Sequence, residues 1–459
     1  MINKILSAFK TILSPLPLGG VGGGFRHAFA LIREDKLFSA IYVAGTAVAI
    51  ASAMVVVLVL HIRISNIYPE VNRDRTVMVR SWFSDEINNA VDIGYSPLAI
   101  EEVFNRLQCA ELVSATMSSD YIYRFTACTE MGKQEVPVTV KFTDANFYRL
   151  YKFSFVAGRP YTDEHLQHGD KQIVITDALA RKVFGTTEKV VGRQLLLNYL
   201  PYHIIGIVRE VSPLMFESSS DIYLPYTVKD SRNGLQDANV SYAGGLEVKV
   251  LLKPGYTTKM LKDELEPYRT RYLSMLKQST GKEYRWLIDA RPHWGKTLVF
   301  FNTPNYTVGD MLYNLSLPGI LLLLLLLLPA INLSGLVSNR MESRVAEMGI
   351  RKAFGAKRTT LLREVISENL ALTLLGGLAG YLLSWLFISL IRNNSVFLMI
   401  FEREYDPVNN VSLQPDMFFT PLLFLVAFLC CAVLNLMAAL IPAWTSLRKP
   451  IVESLNQKR

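Results

Sequence analysis

Charged residues are scarce in this chain of 459 residues. Only 19% of its residues are Asp, Glu, Lys or Arg, whereas about 25% is usual in a soluble domain. Cysteine, glycine and proline are also sparse, at 4, 27 and 20 residues, which excludes disulfide scaffolds and collagen-like repeats. Half of the residues are hydrophobic, so the chain is not intrinsically disordered. This composition indicates a membrane protein.

Four stretches contain no Asp, Glu, Lys or Arg and are long enough to cross a bilayer. About 20 apolar residues span the hydrocarbon core of roughly 30 Å. The stretches are 37–62, 311–339, 369–391 and 417–447, and the second includes eight consecutive leucines at 321–328. Core helices of soluble proteins rarely stay uncharged for so long. The sequence therefore predicts a membrane α-helical fold with four transmembrane helices.

Basic residues are concentrated in three of the segments that flank these spans. Segments 1–36, 340–368 and 448–459 together hold sixteen basic and seven acidic residues. Segment 392–416 holds two basic and four acidic residues, whereas segment 63–310 holds thirty basic and twenty-nine acidic residues. Because Lys and Arg are enriched in cytoplasmic loops, we expect both termini and 340–368 in the cytoplasm, with 63–310 and the short loop 392–416 outside. Topology thus explains the net charge of +8, and no nucleic-acid-binding motif accompanies it.

The large outward segment, 63–310, has the composition of a globular domain. Thr176 or Asp177 is the expected N-cap of a short helix that Gly185 ends. Strands are predicted at 171–176, 190–197, 202–209 and 246–252, and helices at 177–184 and 258–277. The mixture predicts a large α+β extracytoplasmic domain between transmembrane helices 1 and 2.

This outward segment shows no convincing catalytic or metal-binding pattern. Asp163, Glu164, His165, His168 and Asp170 form a polar cluster, but their order differs from the His-Glu-x-x-His motif of zinc proteases. The cluster is typical of a solvated loop. We expect no catalytic residue and no metal site in this chain.

The four cysteines divide between the outward segment and the last span. Cys109 and Cys128 lie in the outward segment, where a disulfide is chemically permitted. Two buried thiols are an equal alternative, because the sequence does not fix the geometry of the pair. Cys430 and Cys431 are adjacent in the fourth span and are expected to act as small apolar residues.

A nucleotide-binding motif is also missing from the sequence. A phosphate-binding loop needs Gly-x4-Gly-Lys-Ser/Thr, whereas the glycine-rich stretch 19–24 is followed by Phe25 and Arg26. We interpret 19–24 as a hinge after an amphipathic N-terminal segment that lies in the cytoplasmic membrane interface. We therefore expect the chain to be no enzyme and to hold no cofactor of its own.

The segment 340–358 follows the second span and predicts a short helix. Glu347 precedes Arg351 by four residues, which is the favourable order for a helical ion pair, and Gly355 can end the helix. A helix held between two spans can dock on a cytoplasmic partner. The alternative is a basic loop that only sets the topology.

The run Glu347-Met-Gly-Ile-Arg-Lys-Ala-Phe-Gly-Ala356 resembles the signature of the MacB/FtsX family of ABC-transporter permeases. Other parts that resemble this family are 25–45, 144–150, 157–160, 173–185, 204–209, 368–380 and 441–455. The resemblance implies a set of residues that couple the permease to an ATPase: Glu347, Met348, Gly349, Ile350, Arg351, Lys352, Gly355 and Ala356.

The resemblance further implies a function as the permease subunit of a transporter in the bacterial inner membrane. Two permease copies, or a copy and a homologue, would pair with ATP-binding subunits that hold ATP and Mg. Because residues 1–36 are too short for a fused ATPase domain, we expect the ATPase on a separate cytoplasmic chain. Its work would move the extracytoplasmic domain, a process called mechanotransmission, for efflux or export of an envelope substrate. A periplasmic adaptor and an outer-membrane channel would be further partners.

Other functions stay open at this point. Lipoprotein release and control of cell-wall hydrolases are alternatives within the family, and an ATP-independent receptor or scaffold is an alternative outside it. Gly45, Ala49 and Ala53 form a ridge of small residues on the first span, which makes this span a candidate for dimer contact. Asn332 and Asn435 are polar exceptions within the spans and are expected to form hydrogen bonds between helices.

Overall fold

The computed structural model describes residues 36–84, 91–92, 94–117, 123–129, 135–228, 242–281, 283–298, 307–394, 417 and 421–448. They divide into two compact units. The membrane unit comprises the described parts of Met1–Val59, Ser316–Ile391 and Phe418–Arg459, and the ectodomain comprises those of Leu60–Leu315 and Arg392–Met417. The predicted N-terminal amphipathic segment with its glycine-rich hinge, most of the loop 392–416 and the tail after Arg448 lie outside the described residues.

The helices and strands are numbered here in chain order. The helices are α1 (Lys36–Ile64), α2 (Pro97–Glu102), α3 (Phe147–Leu150), α4 (Asp163–His168), α5 (Asp177–Phe184), α6 (Thr258–Thr280), α7 (His293–Leu298), α8 (Val308–Ser343), α9 (Val345–Ala353), α10 (Arg358–Ile391) and α11 (Pro421–Arg448). The strands are β1 (Thr76–Ser84), β2 (Val91–Asp92), β3 (Gly94–Tyr95), β4 (Ala110–Met117), β5 (Tyr123–Cys128), β6 (Val136–Thr143), β7 (Phe155–Gly158), β8 (Gln172–Thr176), β9 (Gln194–Leu197), β10 (Leu200–Val208), β11 (Ile222–Pro225), β12 (Ala243–Gly244), β13 (Leu246–Leu252) and β14 (Arg285–Pro292).

Four of the helices are long and apolar enough to cross a membrane. These candidate spans are Lys36–Ile64, Gly319–Glu342 within α8, Arg358–Ile391, and Phe424–Thr445 within α11. The α+β ectodomain follows the first span and precedes the second. The predicted fold class is therefore confirmed.

Three glycines let α10 pack closely against its neighbours in the membrane unit. A Cβ atom added at Gly376 would lie 2.7 Å from the Thr46 Cβ of α1, and one at Gly380 would lie 2.8 Å from the Ala47 carbonyl oxygen. At Gly377 it would lie 2.6 Å from the Phe428 ring of α11. Because a Cβ has no room at any of these positions, the close approach of α10 to α1 and α11 depends on glycine.

Polar side chains inside the membrane unit bond across the helices. The Tyr42 hydroxyl of α1 lies 3.2 Å from Thr373 Oγ1 of α10. Asn435 of α11 donates from Nδ2 to Thr46 Oγ1 over 3.4 Å. This confirms the interhelical bond predicted for Asn435. The bond predicted for Asn332 is not confirmed, because its side chain is exposed and has no hydrogen bond within the described residues.

The ectodomain is built on one extended mixed sheet. Strand β11 pairs with β8 and, in parallel, with β6, so that β11, β8, β10, β9, β5 and β6 form a closed ring. Strands β4, β13, β1 and β14 continue antiparallel from β6. The main apolar core lies against this sheet and includes Val77, Val248, Leu261 and Leu265.

Most of the predicted ectodomain elements are confirmed. The helix at 177–184 is α5, its N-cap Thr176 accepts from the Leu179 amide, and Gly185 ends it with φ of 74°. The strand at 246–252 is β13, and the helix at 258–277 is α6, which continues to Thr280. The strands at 171–176 and 202–209 correspond to β8 and β10.

Two ectodomain expectations are wrong. The polar cluster at 163–170 is not a loop, because a reciprocal hydrogen-bonded cap between Thr162 and His165 begins the helix α4 and left-handed Gly169 ends it. The strand predicted at 190–197 is shortened to β9, because Gly192 has φ of 88° and turns the chain before the strand begins.

Cys109 and Cys128 are free thiols, and both are buried. Burial raises the pKa of Cys109 to about 12, so this thiol stays protonated at neutral pH and is unreactive. Of the two alternatives for this pair, a disulfide or two buried thiols, the structure shows two buried thiols.

Candidate functional site

Helix α9 is a two-faced helix that joins the spans in α8 and α10. Val345, Met348 and Gly349 are buried on one face. On the other face Ile350 is 49% exposed, and Phe354, directly after the helix, is 88% exposed. The helix therefore has an apolar anchor on one side and offers large apolar side chains on the other.

Local chemistry ends α9 at a defined residue. Gly355 has φ of 91°, a conformation that other residues adopt only with strain. Its amide donates to the Lys352 carbonyl, and the Ala356 amide donates to the Arg351 carbonyl. These two bonds form the Schellman pattern, which satisfies carbonyls at the end of the helix. The predicted cap at Gly355 is confirmed.

The buried face of α9 inserts into an apolar cluster to which all four spanning helices contribute. Met348 is the residue that α9 supplies, and Ala356 packs against the same cluster. The buried members are Phe38, Tyr42, Val337, Met341, Met348, Leu361, Val365, Leu372, Ala439 and Ala443. We call this region the loop end of the membrane unit. Helix α9 therefore shares one apolar core with all four spanning helices.

Arg351 ties α9 to α10 by ion pairs at the loop end. Its guanidinium lies 2.6 Å from Glu347 in α9 and 3.0 Å from Glu364 in α10. The hydrogen bonds from Arg351 to Glu364 raise the pKa of the arginine. All three side chains are partly exposed, so each pair contributes less than about 1 kcal/mol to stability.

A second and more buried ionic contact lies beside the first. Glu368 of α10 pairs with Arg340 and with Arg344, which lies 3.2 Å away. The Arg340 guanidinium also lies over the Phe38 ring of α1, 4.4 Å from its centroid. Glu368 is only 6% exposed, so loss of its arginine partners would leave a charge with little access to water.

The eight predicted coupling residues divide into two groups. Met348, Gly349 and Ala356 face the loop-end core, whereas Glu347, Ile350 and Gly355 are exposed, and Arg351 and Lys352 are half-buried. Their role in coupling stays a prediction. Sequence reasoning missed Phe354, Glu364 and Glu368. A usable signal was the spacing of Arg340 with Arg344 and of Glu364 with Glu368, since the residues of each pair are four apart.

The predicted dimer ridge lies largely inside the membrane unit. Ala49 is 3% exposed and Ala53 is 1% exposed, while Gly45 is half-buried. Dimer contact through this ridge stays a prediction, and the burial of two of its three residues leaves them little surface for it.

The ectodomain contains a buried ion network on one face of β13. Glu217 lies 2.5 Å from Lys296 and 3.0 Å from Lys249, and Lys249 also donates to Thr116 Oγ1. Burial favours a high pKa for Glu217, but Lys296, Lys249 and Lys141 outweigh it and hold the pKa well below its ordinary value. Paired in this way, the buried carboxylate is ionised at neutral pH.

A related contact, within the ectodomain unit, involves the last turn of α1. Arg73 donates from Nη1 to the carbonyls of Ile62 and Ser65, over 2.6 and 2.8 Å, and from Nε to Glu70 over 2.8 Å. Glu70 accepts from Ser218 and lies 3.6 Å from His293. The Arg73 guanidinium therefore satisfies carbonyls at the end of α1. Its positive charge also interacts favourably with the negative end of the helix dipole.

Within the part of the chain that the structure describes, no group of three His, Cys, Asp or Glu side chains is placed to hold a metal ion. His165 accepts from the Thr162 amide, and His168 Nδ1 lies 2.9 Å from the Glu164 carbonyl, so both imidazoles serve α4. The absence of a metal site and of catalytic residues stays a prediction for the whole chain.

Two family descriptions match this chain. The MacB-like periplasmic core domain matches residues 39–268, which is half of the chain, and the FtsX-like permease C-terminal region matches residues 319–451. The first match covers nearly all of α1 and most of the ectodomain, and the second covers most of α8 together with α9, α10 and α11. The two matches include Glu217 and Lys249 of the ion network on β13, but not Lys296, and all of the loop-end cluster except Phe38.

Several curated relatives and a solved structure are similar to this chain. The macrolide export ATP-binding/permease protein MacB of Escherichia coli strain K12 is 26% identical over 327 residues, or 71% of this chain. The chain spans under half, 44%, of that relative's length. The ABC transporter permease YknZ of Bacillus subtilis strain 168 is 23% identical over 77% of this chain and 83% of its own. A permease-protein domain from Porphyromonas gingivalis has 20% identity and a TM-score of 0.37, over 53% of this chain and 97% of its own.

Proposed function

Because this chain belongs to the permease family with a MacB-like periplasmic core domain and an FtsX-like C-terminal region, we propose that it couples ATP hydrolysis by a separate cytoplasmic ATPase to movement of its ectodomain. In this proposal two permease copies, or a copy and a homologue, pair with ATP-binding subunits that hold ATP and Mg. The termini and α9 lie in the cytoplasm, as the distribution of basic residues favours.

The observation that carries this proposal is the construction of α9. A loop that only set topology would need its basic charge and no fixed shape. Instead α9 is capped, is anchored through Met348 in a core shared by four spanning helices, and leaves Ile350 and Phe354 exposed. Exposed apolar side chains on a rigid support are typical of a surface that a partner covers.

The geometry also supports a route for movement within the chain. Phe38 near the start of α1 belongs to the loop-end core, and the carbonyl of Ile62 in its last turn is held by Arg73. When the ATPase closes beneath α9, displacement of the loop end shifts α1 along with the other spans. Arg73 and Glu70 then pass the displacement of α1 to the ectodomain. This mechanism needs no hydrophilic pore.

We further propose that the movement serves efflux or export of an envelope substrate from a bacterial inner membrane. The E. coli relative is named for macrolide export. A periplasmic adaptor and an outer-membrane channel are the proposed partners of the ectodomain. Release of lipoproteins and control of cell-wall hydrolases are the alternatives that a partner survey would reveal.

Co-purification from native membranes tests the ATPase proposal. The tagged full chain is expected to carry a stoichiometric ATP-binding subunit, and Phe354→Asp or Glu347→Lys should remove it and its ATPase activity. Tyr313→Asp is the matched control, since Tyr313 is 77% exposed but precedes the span in α8. Retention of the ATPase by both loop variants, or absence of any ATPase after crosslinking of the wild-type chain, would overturn the proposal.

A further inference from the structure

Two large apolar side chains are exposed where the chain passes from α1 into the ectodomain. Val71, in the segment after α1, is 36% exposed, and Trp294 of α7 is 39% exposed. Both flank the buried Glu70, since Val71 follows it in the chain and His293, the neighbour of Trp294, lies 3.6 Å from it. His293 is itself buried, and Lys296 of α7 belongs to the buried ion network. Trp294 is therefore held at the surface by buried contacts on both sides of it.

The contacts of this surface begin at the end of a membrane span. As a helix, the uncharged stretch 37–62 is about 39 Å long, whereas the hydrocarbon core is roughly 30 Å thick. Ile62, at its outer end, therefore reaches the level of the lipid headgroups. Arg73 donates to the Ile62 carbonyl over 2.6 Å and to Glu70 over 2.8 Å. Short contacts thus connect both exposed side chains to the level of the headgroups.

A basic residue completes the composition of this surface. The Lys152 amide donates to the Pro69 carbonyl over 3.1 Å, and the Lys152 side chain is exposed. Asp74 is an exposed acidic residue in the same segment, and it is bonded to Asn66. Membrane interfaces favour Trp and Lys, because an indole joins an apolar body to an N–H donor and an ammonium pairs with phosphate. The residues that we call the membrane-side patch are Val71, Lys152 and Trp294.

We propose that the membrane-side patch rests on the phospholipid headgroups of the outer leaflet and anchors the ectodomain there. Contact with lipid removes apolar surface of Trp294 and Val71 from water, while Lys152 meets the phosphates. One lipid surface accounts for three exposed side chains that come from distant segments and surround the end of a span. The proposal takes only the outward orientation from the proposed function, and it does not depend on an ATPase.

Quenching of tryptophan fluorescence by labelled lipids tests this contact. The full chain with Trp385→Phe and Trp444→Phe, which removes the tryptophans of the membrane unit, is reconstituted in vesicles of phosphatidylcholine and phosphatidylglycerol. A spin label on the lipid headgroup is expected to quench this protein, and a further Trp294→Phe should remove most of the quenching. Both proteins keep Trp82 and Trp286, so the difference between them isolates Trp294.

A protein that keeps Trp385 is the positive control, because Trp385 is 64% exposed on the spanning helix α10. A label on the acyl chain should quench it. If it does, and Trp294→Phe leaves the quenching by the headgroup label unchanged, the indole does not contact lipid and the proposal is wrong. Stronger quenching of Trp294 by a label at the end of the acyl chain than by the headgroup label would also contradict an anchor in the headgroup layer.

Spin labels on single cysteines test the whole patch. Val71→Cys, Lys152→Cys and Trp294→Cys are labelled in turn in a full chain with Cys430→Ala, because Cys430 is an exposed native cysteine. In lipid bilayers all three labels are expected to be shielded from a water-soluble nickel complex. Met275→Cys is the control, since Met275 is 55% exposed on α6, which packs against the first residues of β14, whereas α7 follows the last.

Two results of the spin-label measurement would overturn the proposal. Equal access of the nickel complex to the patch labels and to the Met275 label would leave the patch in water. Shielding accompanied by spin–spin broadening would identify a second copy of the chain, rather than lipid, as the occupant.

Discussion

The Arg351 pairs at the loop end and the Glu217 network of the ectodomain differ in their access to water. At the loop end, Arg351 and its partner Glu347 are 41% and 55% exposed as side chains. In the ectodomain, Glu217 and Lys249 are 5% and 1% exposed. Exposed pairs can break and re-form at little cost, whereas a buried charge cannot lose its partner without a large penalty. We therefore expect the Arg351 pairs to rearrange more readily than the Glu217 network.

Removal of a buried charge should have the largest effect. Glu217→Gln leaves Lys249 and Lys296 with one acceptor fewer and is expected to destabilise the ectodomain by about 3–5 kcal/mol. Hydrogen exchange of the full chain would show this as lost protection in β13. Glu266→Gln is the matched control, because Glu266 pairs with Arg269 at the surface; it should cost less than about 1 kcal/mol. Equal effects of the two variants would remove the distinction between buried and exposed pairs.

Truncation of the anchor of α9 should have the next largest effect. Met348→Ala removes most of a buried side chain from the loop-end core and is expected to cost about 2 kcal/mol or more. Hydrogen exchange in α9 should rise by more than tenfold. Met275→Ala is the control, because Met275 is 55% exposed in α6. Unchanged exchange in α9 would mean that Met348 does not anchor the helix.

Acid should weaken the ectodomain. The Arg73 and His293 side chains hold the pKa of Glu70 far below its ordinary value of 4.5, despite its burial. A carboxylate whose pKa is lowered on folding stabilises the fold at pH above 4.5, and this stability is lost as the pH falls below it. Asp144, whose pKa burial raises to about 7, is already protonated in the folded chain in that range.

Unfolding of the full chain between pH 7 and pH 3 checks this acid response. Each unit by which the pKa of Glu70 differs between the folded and the unfolded chain changes the free energy of unfolding by about 1.4 kcal/mol. Glu70→Gln should be less stable than the parent at pH 7 and should lose less stability on acidification. A variant that keeps the full acid response would show that the Glu70 carboxylate does not carry it.

Loss of the glycine cap should have a smaller effect. Gly355→Ala forces a Cβ into a left-handed conformation, although no atom crowds the position, and is expected to cost about 1 kcal/mol. Faster hydrogen exchange should be confined to the last turn of α9. Gly319→Ala, at an uncrowded helical position, should be neutral or stabilising. If Gly355→Ala also leaves α9 unchanged, strain at this cap is not significant.

The exposed ion pair should matter least for stability. Glu364→Gln removes one partner of Arg351 and should change the stability of α9 by less than about 1 kcal/mol. Glu368→Gln should cost more, because Glu368 is buried between Arg340 and Arg344. A double-mutant cycle with Arg351→Gln gives the pair energy directly. If Glu364→Gln destabilised the protein more than Glu368→Gln, the expected order of exposed and buried pairs would be wrong.

Elements with local signals could be predicted from the sequence. Helix α5 was predicted with both of its ends because Thr176 caps its start and Gly185 adopts the left-handed conformation at its end. The apolar spans and the cap at Gly355 were predictable for the same reason, since composition and neighbouring residues determine them. The Glu347–Arg351 pair also depends only on helical spacing.

Features that depend on distant residues could not be predicted. The alternation of β13 indicates one solvated face, yet Glu247 and Lys249 are buried because Glu217 and Arg80, from far along the chain, cover them. The Glu368 contact with Arg340 likewise requires α8 and α10 to be side by side. The apolar pattern at 190–197 predicted one continuous strand, but the left-handed φ of Gly192 turns the chain, so that β9 begins only at Gln194.

The most direct test of the central claim, that α9 docks an ATPase, is photocrosslinking at its exposed end. A photoreactive phenylalanine analogue at Phe354, 88% exposed, is compared with the same analogue at Tyr313, 77% exposed. Irradiation of native membranes is expected to join the analogue at Phe354, and not that at Tyr313, to a chain that binds ATP. Capture of lipid alone at both positions, or of the ATP-binding chain at Tyr313 alone, would contradict the claim.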